Sequence, residues 1–202
     1  ELYLPGLPGL QVVLDVAIEQ EPAWNLNRRV GITVGAGGVL LVEHSELKNP
    51  VVKPLFGSEG RGMLRVDQPD LAWRVFSALE RQQAVIYQQA FVRHPGWDLR
   101  VFTLGSRVLA GMRRLGNGSW RTNVAQGGTA EAVEVPGSAA LLAVRAAQVL
   151  GAEIAGVDLL LDGDDRWHLI EVNACPGWRA LEAVTGLDVA GAILEHVWET
   201  MP

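Results

Sequence analysis

The sequence predicts an α+β fold, and three observations carry that expectation. Its 202 residues are 49% hydrophobic and 20% charged, which suits a folded chain with one sizeable core or two lobes. Two strand pairs are joined by short turns, at Gly105-Ser106 and at Asp162-Gly163-Asp164-Asp165, so neighbouring strands should run antiparallel. Helical stripes fall between the strands without the regular alternation of a doubly wound parallel sheet, and there is no internal repeat.

The elements follow in order. Pro5, Gly6, Pro8 and Gly9 break the start of the chain, Leu10 to Ile18 is apolar, and Val30–Val34 with Val39–Val42 read as strands around a Gly35-Ala36-Gly37-Gly38 hairpin loop. That loop is not a dinucleotide fingerprint, because Leu40 stands where the third glycine of that motif would be. A strand through Val51 and Val52 leads into a glycine-rich loop. A helix from Pro69 to Gln82 then carries Leu71, Val75 and Leu79 on one stripe. Ala84–Gln89 is the next strand. Leu99–Leu104 and Arg107–Arg113 form a hairpin whose Gly105 suits the first central position of a type II′ turn. Ser138 is expected to cap a helix that ends before Gly151. A second hairpin joins Ala155–Leu161 to Trp167–Ala174, and helical segments through Leu181 and from Asp188 to about Glu199 close the chain.

Composition excludes several classes. A net charge of −6 and a pI of about 5.2 give no overall footprint for nucleic acid or an anionic membrane. No apolar run approaches the roughly 20 residues of a membrane span, and no signal-peptide pattern opens the chain. The single cysteine, Cys175, rules out an intramolecular disulfide framework and suits a reducing cytoplasm, which is the expected location. The first residue is Glu1 rather than Met, which reads as a processed form or a fragment. No nucleic-acid or membrane partner is expected, and a homo-oligomer is left open.

The acidic hairpin is the strongest chemical signal. A turn at Asp162–Asp165 places Asp158 opposite Glu171, with Asn173 two residues further along the same face. Like charges directly opposite on neighbouring strands repel unless a cation lies between them. Asp, Glu and Asn offer only oxygen donors, the set preferred by Mg²⁺ or Mn²⁺. The alternative is a pair of solvated acids, but Val157, Leu159, Leu160, Leu161, Leu169, Ile170 and Val172 make the hairpin too apolar for a solvent-washed ribbon. The turn acids Asp162, Asp164 and Asp165 lack calcium-loop spacing and read as a polar turn.

Charge is segregated along the chain. From Arg93 to Arg121 six arginines face one acid, a local +5, and from Glu153 to Glu171 six acids face one base, a local −5. A polyanionic ligand carried with a metal, such as Mg-nucleotide, fits that division. The Gly105-Ser106 turn is expected to set Asp98 opposite Arg113 with Arg100 on the same face; a mute surface ion pair is the alternative. Trp120, Arg121, Thr122 and Asn123 follow a flexible Gly116-Asn117-Gly118. Lys53, one of two lysines, precedes Gly57-Ser58-Glu59-Gly60-Arg61-Gly62, whose glycines would let successive N–H groups turn toward phosphate oxygens; a tight hairpin turn is the alternative. It is not a Walker A loop.

Taken together, Lys53 to Gly62, Asp98-Leu99-Arg100, Trp120 to Asn123 with Gly127-Gly128, Gly156-Val157-Asp158, Glu171 to Gly177 and Thr185 to Ala190 resemble an ATP-grasp ligase of the RimK-like branch, over residues 51 to about 198. The resemblance implies two α+β lobes gripping Mg-ATP and a carboxylate–amine ligase working through an acyl phosphate, with glutamate and a peptide or pterin-type carboxylate acceptor as substrates. His94 to Arg100 looks most like relatives associated with tetrahydromethanopterin. It also implies roles: Lys53, Gly57, Ser58, Glu59, Gly60, Arg61 and Gly62 at the phosphates, Tyr87, Gln88 and Gln89 at the adenine hinge, and Asp98 near the ribose. Arg100, Arg113, Arg121 and Asn123 would hold the transferring phosphoryl group or the acceptor carboxylate, and Asp158, Glu171 and Asn173 the metal. The expected divisions are residues 1–50, which do not resemble the family's preceding domain and read as curtailed, a small lobe over 51–87 and a large lobe over 88–202. A non-catalytic nucleotide-binding module that needs a partner is the second reading.

Overall fold

The computed structural model describes residues 30–34, 38–42, 50–54, 60–82 and 86–200, which divide into two compact units at Phe91/Val92. In the first unit β1 (Val30–Val34) and β2 (Gly38–Val42) pair antiparallel, as the hairpin reading requires. β3 (Val51–Pro54) is the centre of a three-stranded sheet between β4 (Leu64–Arg65) and β5 (Ile86–Gln89), antiparallel to both. α1 (Pro69–Arg81) lays Ala72 and Phe76 against Val52 and Val66, with Val75 and Leu79 flanking that core. Asp70 in its first turn and Arg81 in its last complement the helix dipole. The expected 87/88 boundary falls inside β5, a strand that belongs wholly to the first unit.

The second unit is one five-stranded antiparallel sheet in the order β10-β9-β6-β7-β8. Its strands are β6 (Trp97–Leu104), β7 (Arg107–Leu115), β8 (Thr129–Ala132), β9 (Ile154–Leu161) and β10 (Trp167–Asn173). Antiparallel alternation gives the sheet two faces. Leu99, Val101, Val157 and Leu159 point to one face, where α2 (Gly137–Val149) covers them with Ala139, Ala143 and Ala147. Small residues on that helix stripe let the helix sit close on the sheet. Phe102 and Met112 point to the other face, under Leu181 of α3 (Arg179–Thr185) and Val189 of α4 (Val189–Thr200). Those two helices cap only the Phe102 end of that face, so its other end, at Asp98 and Arg100, carries polar side chains.

Two local expectations are corrected. The residue at the cap of α2 is Pro136, whose extended conformation (φ −57°, ψ 141°) starts the helix at Gly137, so Ser138 sits inside the first turn and caps nothing. The β6–β7 hairpin turns at Gly105 (φ +58°) with no positive φ at Ser106, as a type II′ turn demands, but a bulge between Phe102 and Thr103 slips the register by one. Asp98 therefore faces Arg114, and Arg113 lies opposite Leu99. Among the described residues no helix is long and apolar enough to cross a membrane.

Candidate functional site

The slipped register decides which side chains meet. On the polar face Arg100 of β6 stands opposite Asp158 of β9, and Asp158 stands opposite Glu171 of β10. A second register shift, between Leu169 and Glu171, sets that last pairing, which is the one expected from the turn. Asn173 faces Gly156 one step along. Arginine, aspartate and glutamate thus form one row across three adjacent strands, with directly opposite Cβ atoms about 4.5–5.5 Å apart in such pairs.

The repulsion between Asp158 and Glu171 is relieved by arginine. Arg100 donates to both Asp158 oxygens, Nε to Oδ1 at 2.7 Å and Nη2 to Oδ2 at 2.8 Å. Arg114 reaches Asp158 Oδ2 at 2.9 Å and also forks onto Asp98, with Nε and Nη2 each 2.7 Å from a carboxylate oxygen. The Thr122 hydroxyl donates to Asp98 Oδ2. Thr122, Asp98, Arg114, Asp158 and Arg100 are thereby one hydrogen-bonded chain of two cations and two anions, in which Asp98, Arg114, Thr122 and Asp158 are all buried.

Burial pushes the Asp158 carboxyl up, but the charges and hydrogen bonds of Arg114 and Arg100 outweigh it and hold the group below the usual carboxylate range. Burial works against the Arg114 charge in the same way, and Asp158 and Asp98 overcome it and raise the guanidinium above its ordinary value. Glu171 is exposed and makes no ion pair among the described residues. Asn173 is half-buried, and its Oδ1 accepts the Cys175 N–H at 2.9 Å, which folds the chain back after β10.

Glycine permits this return. A Cβ on Gly156 would lie 2.7 Å from Pro176 Cβ and 3.8 Å from Arg100 Nε, so only glycine lets Pro176 rest on β9 beside the arginine. Trp178 then packs edge-on against Phe102, with ring centroids 6.5 Å apart. On the other side, a Cβ on Gly128 would stand 2.8 Å from the Leu115 and Thr122 carbonyls. That close approach holds the Arg121–Asn123 arm along the end of β7. Thr122 points inward to Asp98, its neighbours Arg121 and Asn123 are half-buried, and Arg121 lies over the Trp120 ring at 4.6 Å.

Other expected residues sit elsewhere. Arg113 is carried to the α2 face, 3.2 Å from Glu131 and 4.7 Å over the Trp97 ring, so it does not converge with Asp98 and Arg100. One residue of slip exchanges Arg113 for Arg114, because consecutive strand residues point to opposite faces. In the first unit Lys53 is half-buried on β3 and pairs in register with Tyr87, Gln88 is buried beside Val52, and Gln89 is half-buried. Gly60 and Gly62 both adopt positive φ (72° and 74°) around exposed Arg61, a backbone that favours glycine. Gly57, Ser58 and Glu59 lie outside the described residues. Asp162 accepts the N–H groups of Asp164 and Arg166 at 2.8 and 3.0 Å and meets His168 Nε2 at 2.7 Å, so it folds the hairpin turn.

The donor set suits a hard divalent cation. Asp158, Glu171 and Asn173 contribute carboxylate and amide oxygens from two strands paired in register, and no sulfur or imidazole joins them. Among the described residues no three Asp, Glu, His or Cys side chains gather to hold a metal. Arg114 and the inward hydroxyl of Thr122 complete the site. A carboxylate at Asp98 on a strand apolar to either side signals the need for a buried cation, but not that Arg114 supplies it or that Thr122 joins it.

A family model described as a RimK-like ATP-grasp domain matches residues 36–197. The chain is 39% identical over 149 residues to a probable alpha-L-glutamate ligase of Rhodopirellula baltica, covering 73% of this chain and 36% of that protein. It is 32% identical over 161 residues to the tetrahydromethanopterin:alpha-L-glutamate ligase of Methanococcus maripaludis, covering 77% of this chain and 54% of that one. The chain thus spans about half or less of these relatives' lengths. Among solved structures, ATP-grasp ligase PsnB, complexed with a phosphomimetic variant of its minimal precursor, Mg and ADP, superposes with a TM-score of 0.59 at 21% identity, over 76% of this chain and 47% of that chain. D-cycloserine synthetase DcsG gives a TM-score of 0.56 at 18% identity, over 76% and 56%. These two likenesses are of fold.

Proposed function

The chain belongs to the RimK-like ATP-grasp family, and from that premise we propose that it acts as a Mg-ATP-dependent carboxylate–amine ligase, joining an amino acid such as glutamate to a peptide or pterin-type carboxylate. In this reading the γ-phosphoryl group passes to an oxygen of the substrate carboxylate, leaving ADP and an acyl phosphate. The amine nitrogen then attacks the acyl carbon, the C–O bond to phosphate breaks, phosphate departs and the amine loses a proton, giving the amide. The observation that carries the proposal is the row Arg100–Asp158–Glu171, with Asn173 alongside, at the end of the sheet away from Phe102, where Asp158 is buried and Glu171 is exposed.

Phosphoryl transfer calls for charge neutralisation and alignment more than for a strong base. Mg²⁺, held by Asp158, Glu171 and Asn173, would neutralise phosphate oxygens. Arg100 and Arg121 supply cations to the transferring group or the acceptor carboxylate, and Asn123 a neutral donor. Lys53, the Gly60-Arg61-Gly62 turn and Gly57 to Glu59 bind the phosphates, and Tyr87 to Gln89 the adenine. Asp98, expected near the ribose, is buried with both oxygens taken by Arg114 and Thr122, and in this reading it acts through them as a positioning residue. Its carboxylate fixes the guanidinium that reaches Asp158 and the hydroxyl that anchors the Arg121–Asn123 arm.

The test is steady-state ADP release with Mg-ATP, amino acids and a panel of peptide and pterin carboxylates. Release that requires both an amino acid and an acceptor, with the amide found by mass spectrometry, is the expected result. Mg-ATP binding without amino-acid-stimulated ADP release overturns the ligase reading for this chain.

A further inference from the structure

Asp158 poses a problem for the site just described, on which this inference rests. A carboxylate that is to ligate a divalent cation already spends both oxygens on guanidinium groups, two bonds from Arg100 and one from Arg114. The two arginines are not equally held. Arg114 has 5% of its side chain exposed and is bound to Asp98 as well as Asp158, so moving it would strand the buried Asp98 carboxylate. Arg100 is more open, at 16%, and among the described residues its hydrogen bonds all go to Asp158. Its guanidinium passes over Gly156, the residue opposite Asn173, so it lies within the row that the oxygen donors form.

We propose that Arg100 is a displaceable stand-in for the divalent cation: the cation arriving with nucleotide takes over the Asp158 oxygens, and Arg100, released from them, turns to the anionic reactants, while Arg114 stays fixed on Asp98. Coulomb's law favours the exchange in that order, since a double charge replaces a single one at Asp158 while Arg100 gains an anion newly brought to the site. The same contact disfavours metal without nucleotide, because Arg100 then gives up a bidentate carboxylate and receives nothing. The device couples cation entry to the availability of the arginine that reads the substrate charge.

The experiment measures Mn²⁺ alone, by the paramagnetic resonance signal of the free ion, against the nucleotide-free 202-residue chain. The parent chain should bind Mn²⁺ weakly, and Arg100→Met should bind it at least tenfold more tightly. Adding Glu171→Gln to that variant should abolish the gain, which places the ion at the acids. Arg100→Lys, which keeps a cation, should gain less than Arg100→Met, and Arg100→Gln serves in its place if the methionine variant does not fold. Unchanged or weaker Mn²⁺ binding on loss of the arginine charge overturns the displacement. A parent chain that binds no Mn²⁺ even with ATP overturns the metal reading itself, whereas Mn²⁺ binding with ATP and no gain on removing Arg100 overturns only the exchange.

Discussion

Replacing Arg114 by methionine keeps a stem of similar length and removes the guanidinium that joins Asp98 to Asp158. Asp158 retains Arg100, but Asp98 is left with a hydroxyl as its hydrogen-bond partner, in a place where 10% of its side chain is exposed. Removing one partner of a buried ion pair costs about 3–5 kcal/mol, because the remaining charge is stranded. At about 2–4 °C per kcal/mol for a chain of this size, the midpoint of thermal unfolding should fall by about 6–20 °C. Urea unfolding at neutral pH, followed by tryptophan fluorescence, measures it directly. Five of the seven tryptophans (97, 120, 167, 178 and 198) lie in the unit that holds the network. Adding Asp98→Asn removes the stranded charge and keeps an acceptor for Thr122, so the double variant should be more stable than Arg114→Met alone. A loss below about 1 kcal/mol, the range of solvated surface pairs, together with no recovery in the double variant, would refute the buried network.

Three further outcomes follow from the same contacts. Because the Asp158 carboxyl is held below its ordinary value of about 3.9, its pairing contributes stability that is complete above that pH and is lost as pH falls below it through the folded-state value; urea midpoints should drop below about pH 4, and Asp158→Asn should flatten that limb. Gly156→Ala puts a Cβ 2.7 Å from Pro176 Cβ, so the turn after β10 must move, at about 1–3 kcal/mol by the same unfolding assay, with weaker Mn²⁺ binding in the presence of ATP. Thr122→Val removes a hydrogen bond to a buried carboxylate, worth about 1.5–3 kcal/mol, and Thr122→Ser restores most of it; unfolding midpoints read both.

Much of the second unit was legible because its signals are local. The Asp162–Asp165 turn brought Asp158 and Glu171 to within one residue of facing each other, the shift between Leu169 and Glu171 completed that pairing, and the glycine of the Gly105-Ser106 turn gave its type. What escaped was set by one extra residue. The bulge at Phe102/Thr103 has no mark in the sequence, since neither glycine nor proline stands there, yet it moves Arg114 to the polar face and Arg113 to the face of α2. β4 and β8 were missed for a different reason. Two and four residues long, they are too short to show a period, and long-range pairing with β3 and β7 defines them.

The opposed acids then take on a different physical meaning. From sequence, Asp158 across from Glu171 called for a bound cation to relieve repulsion, but a protein must also fold before any cation arrives. The structure meets that need with its own cations: Arg100 and Arg114 neutralise Asp158, and Asp98 neutralises Arg114, so the buried chain carries no net charge and only exposed Glu171 keeps a negative one. A sheet built this way can hold closely spaced carboxylates without a metal. It can present them to one when a single arginine lets go, which is why the register slip that installs Arg114 matters to the chemistry as well as to the fold.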